Sequence, residues 1–195
     1  MFVVRQAEDV LKLSVITKIG DQGKTTFFGC GLVSKDDIRI EALGALDELN
    51  SVIGVTLCFI EDHRLKLILE KIQNDLFQVG SDIAGSELEK GKLPFIHQNH
   101  ILELERLIDD LEKELGMPKT FIMPKGNIPG SFLHLCRSVT RRSERILVTL
   151  KEVVPHINPE MLRYVNRLSD LLFCLARYAN RELEIKDQEP IYKFL

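Results

Sequence analysis

The sequence has no tryptophan and only four cysteines, Cys30, Cys58, Cys136 and Cys174, with no CxxC pair among them. Cysteines so sparse and so widely spaced offer neither a disulfide scaffold nor a zinc-ribbon site. A reduced, buried thiol is the expectation for each. No apolar run approaches the ~18 residues that a membrane span needs. A cationic excess is missing too: 26 Lys and Arg face 29 Asp and Glu, a formal net charge of -3, so no global basic field is available for nucleic acid. Positions 1–16 hold a single arginine followed by Glu8 and Asp9. That is neither the basic start of a secretory signal nor an acid-poor transit peptide. The expectation is a cytoplasmic protein with no membrane and no nucleic-acid partner.

What the sequence does have is helical periodicity. Apolar residues recur at Ala42, Leu46, Leu49, Ile53 and Leu57, predicting a helix over Arg39–Phe59. Leu65, Ile68, Ile72, Leu76, Val79 and Ile83 predict a second over Arg64–Ala84. Ile101, Leu104, Ile108, Leu111 and Leu115 predict a third over Gln98–Leu115, stopped by Gly116 and Pro118. A fourth runs from about Pro129 to Lys151, its core face read at Leu135, Val139, Ile146 and Leu150. A fifth starts after Asn158-Pro159 and continues to about Ile185, with Met161, Val165, Leu168, Leu172, Leu175 and Ala179 on one stripe. No segment reads as a convincing strand. Lys12–Ser34 and Gly85–His97 read as irregular. With 195 residues and 45% hydrophobic content, one domain over 1–195 is predicted: a tail and loop over 1–34, then helices over 35–185. Five amphipathic helices with short connections make an all-α five-helix bundle, with a ferritin-like up-down run.

Three places carry chemistry. In Thr17-Lys-Ile-Gly20-Asp-Gln-Gly23-Lys-Thr25-Thr26, glycines beside hydroxyls and lysines would let backbone N–H groups approach phosphate oxygens. A plain Gly-rich turn explains the same residues. A Walker P-loop does not, because Lys18 stands where its first glycine belongs and no buried strand precedes. On the fourth helix Arg137, Arg141 and Arg145 recur at i, i+4 and i+8, a like-charge stack that costs roughly 0.2–0.5 kcal/mol per pair. A carboxylate from elsewhere or an anionic ligand would compensate it. On the fifth helix Asn166-Arg167-Leu168-Ser169-Asp170 places polar groups amid leucines, as either a functional face or an interhelical network. His97 and His100 lack partners at metal-ligand spacing, and His134 reads as structural.

These segments, in this order, resemble the PduO-type cobalamin adenosyltransferases. Thr17-Lys-Ile-Gly-Asp-Gln-Gly23 with Val33-Ser-Lys-Asp-Asp37 is similar to the family's N-terminal ATP loop. Glu41-Ala-Leu-Gly44 with Asp47-Glu-Leu-Asn-Ser51 resembles its first helix. Gln73-Asn-Asp-Leu-Phe77 and Gly80-Ser-Asp-Ile-Ala84 resemble its second. Phe121-Ile-Met-Pro124, Arg141-Arg-Ser-Glu-Arg145 and Asn166-Arg-Leu-Ser-Asp170 complete the pattern. The chain departs from it at Lys125, Gly126 and Asn127, at Phe132 and at Cys30-Gly31.

The resemblance implies transfer of the 5′-deoxyadenosyl group of ATP, with Mg2+, to cob(I)alamin. It implies a homotrimer with ATP held between subunits, served by a reductase and serving an adenosylcobalamin-dependent enzyme. ATP contacts carry over to Thr17, Lys18, Ile19, Gly20, Thr25, Thr26 and Lys35. They also carry over to Arg141, Arg142, Ser143, Glu144, Arg145 and Asn166. Asp47 and Arg137 match an intersubunit salt bridge, and Phe121 matches the aromatic residue under the corrin ring. Arg141, Asn166 and Phe121 are the residues expected to carry catalysis. A carrier of nucleotide or finished cofactor is the alternative reading, and the retained triphosphate-binding residues count against it.

Overall fold

The computed structural model describes residues 16, 18–28, 30–85 and 94–192. Five helices dominate them: α1 (Ile38–Leu57), α2 (His63–Ala84), α3 (Gln98–Leu115), α4 (Ile128–Val153) and α5 (Pro159–Arg181). Their starts follow from local chemistry. Asp37, Asp62, Asn127 and Asn158 each accept a backbone N–H of the first turn, and Pro129 and Pro159 occupy the opening positions where no N–H is needed. The start of α3 is held differently: the His97 N–H donates to Nδ1 of His100 at 3.2 Å, and the two rings lie 4.1 Å apart. The histidine pair that lacks partners at metal-ligand spacing is a helix cap. Gly116, at φ 69, ends α3 in the left-handed region that favours glycine.

The buried side chains form one cluster drawing on all five helices. Helix α4 packs between α1 and α5, α3 lies along α5, and α2 lies along α1. Because α4 is covered on two sides, its buried face is wide: Leu133, Cys136, Thr140 and Leu147 lie inside, and Leu135, read as core, is exposed. Every residue of the predicted α5 stripe is buried. Tyr164 ties α5 to α2, its hydroxyl donating to buried Asp75 at 2.9 Å, while Lys71 Nζ donates to the same carboxylate at 2.7 Å.

Three details differ from the sequence reading. Residues read as irregular contain an antiparallel hairpin, β1 (Lys24–Phe27) and β2 (Gly31–Ser34), with Phe27 opposite Gly31. Only Phe27 of its eight residues is buried, so no apolar alternation announces it. Helix α5 ends at Arg181 rather than near Ile185, where the Leu183 and Ile185 N–H groups turn back onto the Asn180 carbonyl (3.2 and 2.9 Å). Cys136 and Cys174 are buried thiols, but Cys30 and Cys58 are exposed. Cys30 sits in the hairpin turn and Cys58 just past the last turn of α1. Among the described residues no helix is long and apolar enough to cross a membrane.

Candidate functional site

The first half of the site is the hairpin and the turn before it. Ile19–Gln22 form one 3-10 turn between Lys18 (φ 59) and Gly23 (φ 73), both left-handed. The Lys35 N–H closes the structure by donating to the Gly23 carbonyl at 2.8 Å. Gly20 and Lys35 are brought together: a Cβ added at Gly20 would stand 2.8 Å from Lys35 Nζ. The arrangement sets a cation over a glycine turn at the surface, beside the exposed Lys18 and half-buried Ile19. Thr25 and Thr26 are consecutive in β1, so their side chains project to opposite faces of the ribbon. Thr17 lies outside the described residues. The ribbon is anchored through Phe27, over whose ring the Arg39 guanidinium lies at 4.7 Å.

The second half is a cleft of about 460 Å³ among α3, α4 and α5. Arg137, Arg141 and Arg167 line it from α4 and α5, Glu105, Asp109, Glu112 and Asp170 supply carboxylates, and Ile108, Met117 and Phe173 form apolar wall. Arg167 is neutralised in place: its Nε donates to Glu105 at 3.0 Å and its Nη1 to Asn166 Oδ1 at 2.8 Å. Asn166 Nδ2 in turn donates to Glu144 at 2.9 Å. The polar run on α5 is therefore an interhelical network, with Arg167, Ser169 and Asp170 at the wall of the cleft. Arg141 has no carboxylate partner within ion-pair distance among the described residues. Arg137 is half-buried, and its Nε is enclosed without a hydrogen-bond partner among them. Burial lowers the Arg137 pKa, and the neighbouring Arg141 charge lowers it further. Burial raises the Asp170 carboxyl, which Arg167 and Arg141 pull back and Glu144 opposes.

A run of five consecutive helical residues turns through more than one circuit, so it cannot address one site. Arg141 faces the cleft. Arg142 is ion-paired with Glu48 of α1. Ser143 is buried, its hydroxyl donating to the Ala45 and Val139 carbonyls at 3.1 Å each, which removes that side chain from the groups able to reach a ligand. Glu144 turns to Asn166, and Arg145 Nη1 donates back to the Arg141 carbonyl at 2.9 Å. Asp47 and Arg137 form no salt bridge with each other within the chain. Phe121 does not pack in the core: it is 83% exposed in the loop between α3 and α4.

No hydrogen bond joins residues 18–35 to α4 or α5 among the described residues. The bundle thus carries an arginine-lined cleft and, separately, a glycine-lysine turn, two places suited to an anionic ligand. The family model described as cobalamin adenosyltransferase matches residues 15–179, and the chain belongs to that family. It is 38% identical to the corrinoid adenosyltransferase of Citrobacter freundii over 84% of this chain and 93% of that protein. Among solved structures it is similar to a phenylalanine-to-alanine variant of the PduO-type ATP:corrinoid adenosyltransferase from Lactobacillus reuteri, complexed with cobalamin and ATP. The TM-score is 0.84 and the identity 37%, covering 89% of this chain and 97% of that one. An arginine-to-lysine variant of the same enzyme, complexed with ATP, matches at TM-score 0.81 and 37% identity over 89% and 98% of the two chains.

Proposed function

We propose that this protein transfers the 5′-deoxyadenosyl group of ATP to cob(I)alamin, releasing triphosphate and forming adenosylcobalamin. The observation that carries the reading is Arg141, which has no ion-pair partner among the described residues and lines a cleft with Arg137 and Arg167. The cobalt(I) lone pair attacks C5′ of ATP, a Co–C bond forms, and the C5′–O bond breaks with its electrons leaving on triphosphate. Such a nucleophile needs no general base. The chain's work is in-line positioning and stabilisation of charge on the leaving group. Arg141 takes that role with charge-assisted bonds, while Lys35 and the backbone at Gly20 hold the polyphosphate. Asn166 orients from α5. Mg2+ arrives on the triphosphate, whose oxygens it bridges.

Phe121 is assigned to the corrin. An exposed apolar ring placed under the macrocycle excludes the lower axial ligand, which leaves four-coordinate cobalt(II) and eases its reduction. In the two Lactobacillus reuteri variants the altered phenylalanine and arginine stand twenty positions apart, the separation of Phe121 and Arg141 here.

The active form is a homotrimer of one-domain subunits whose helices run up and down, with each site shared between neighbours. Support comes from the lack, among the described residues, of hydrogen bonds between the glycine turn and the arginine cleft, and of ion-pair partners for Asp47 and Arg137. The unpaired cysteines suit the cytoplasm. The protein mixed with ATP, Mg2+ and chemically reduced cobalamin should give a light-sensitive Co–C product. Binding of both substrates with no such product would leave a carrier instead.

A further inference from the structure

Helix α5 contains two buried polar side chains that the transfer reaction does not use, Arg177 (7% exposed) and Asn180 (3% exposed). A buried guanidinium in an otherwise apolar stripe is costly unless its donors are met. Each gives a donor to the segment that carries Phe121. Arg177 Nη1 donates to the Gly116 carbonyl, where the segment begins, and its Nε donates to Asp187, each at 2.8 Å. Its guanidinium also lies 5.9 Å from the ring of Phe173 in the cleft wall. Asn180 grips the other end: its Nδ2 donates to the Lys125 carbonyl, and its Oδ1 accepts the Asn127 N–H, both at 3.0 Å. Asn127 Nδ2 adds a bond to the Ala179 carbonyl. Between the two ends, the Met123 N–H donates to the Gln188 carbonyl at 2.7 Å, so the chain following α5 holds the middle.

The loop is shaped to receive this grip. A Cβ at Gly126 would fall 1.9 Å from Asn180 Oδ1, and one at Gly130 would fall 2.3 Å from it. Gly126 also sits at φ 154, where side chains are rarely accommodated. The three loop residues that set this chain apart from the PduO pattern, Lys125, Gly126 and Asn127, are the ones Asn180 meets. Meanwhile Phe121 itself makes almost no contact with its own chain and stays 83% exposed. A ring that must stand at a fixed height under a macrocycle, with no packing of its own, takes its position from the backbone beneath it.

We propose that Arg177 and Asn180 are positioning residues that clamp both ends of the Phe121 loop to α5, fixing the ring on the corrin side of the site. The proposal rests on the assignment of Phe121 to the corrin. Asn180→Ala removes the grip from the helix side. Gly126→Ala pushes the loop off Asn180 from an exposed position and leaves α5 untouched, so it decides the matter where Asn180→Ala folds poorly. In the full-length enzyme each should raise the KM for cob(I)alamin roughly tenfold or more, hold the KM for ATP within about twofold, and weaken the spectral signature of four-coordinate cobalt(II). Combined with Phe121→Ala, Asn180→Ala should add nothing, because both act through one ring. Equal losses for ATP and corrinoid, full additivity with Phe121→Ala, or a normal corrinoid KM in Gly126→Ala would overturn the clamp. If Phe121→Ala is impaired while Asn180→Ala and Gly126→Ala are normal, the clamp fails and the corrin assignment stands. If Phe121→Ala itself is normal, the assignment fails and takes the clamp with it.

Discussion

His134 should make stability fall on the acid side of neutrality, by an amount the structure sets. Its side chain is 3% exposed, edge-on to Phe173 with centroids 6.2 Å apart. Neither ring nitrogen has a hydrogen-bond partner among the described residues. Burial is the main cause that lowers its pKa from 6.5 to about 4. The Arg137 charge lowers it further, and Asp187 opposes. The folded protein therefore holds this histidine neutral while the unfolded chain protonates it near its ordinary pKa. The contribution is present in full above that ordinary value and is lost as the pH falls from there toward about 4. Over the whole range the loss amounts to about 3 kcal/mol, of which about 2 kcal/mol has gone by about pH 5. Other groups titrate in the same window, so the comparison is with His134→Leu, which keeps the volume and removes the ionisable ring. Urea unfolding of both proteins near pH 7 and pH 5 should show the wild type losing about 2 kcal/mol more than the variant. Parallel pH profiles would refute the reasoning and mean that His134 is hydrated or partnered in the folded state.

Arg141→Ala should raise the KM for ATP about ten- to a hundredfold, the worth of one charge-assisted contact, and steady-state kinetics with unchanged KM and turnover would mean a merely solvated ridge. Asp47→Asn and Arg137→Ala should each weaken assembly by sedimentation or lower activity. The double variant should be milder than the sum by roughly 0.5–3 kcal/mol, and simple additivity would show that the two never meet. Gly20→Ala should displace the flexible end of Lys35, 2.8 Å from the new Cβ, and raise the KM for ATP roughly three- to tenfold with an unchanged Tm. An unaltered KM there would separate Lys35 from the phosphates.

The helices were legible because their information is local. A repeat near 3.6 residues and a Gly or Pro at a helix end act within a few positions, and the five helices stand close to the predicted bounds, the end of α5 apart. The arginine stack on α4 and the odd polar run on α5 were legible for the same reason. The hairpin was not, because a ribbon that buries one residue, Phe27, leaves no period to read. Nor could spacing tell Arg141 from its neighbours. Helix rotation against α1 sends Arg142 to Glu48 and Ser143 to the Ala45 carbonyl, and leaves Arg141 in the cleft. The sequence read Ala179 as the end of an apolar stripe, with nothing to mark Asn180 as a grip on a loop some fifty residues earlier. By itself the sequence determined which segments are helices and which side chains could carry charge to a ligand. Which of those side chains face the cleft, and what holds Phe121 out from the core, was decided by packing between helices distant in the chain, because burial and hydrogen-bond pairing are properties of the assembled core and not of any one helix.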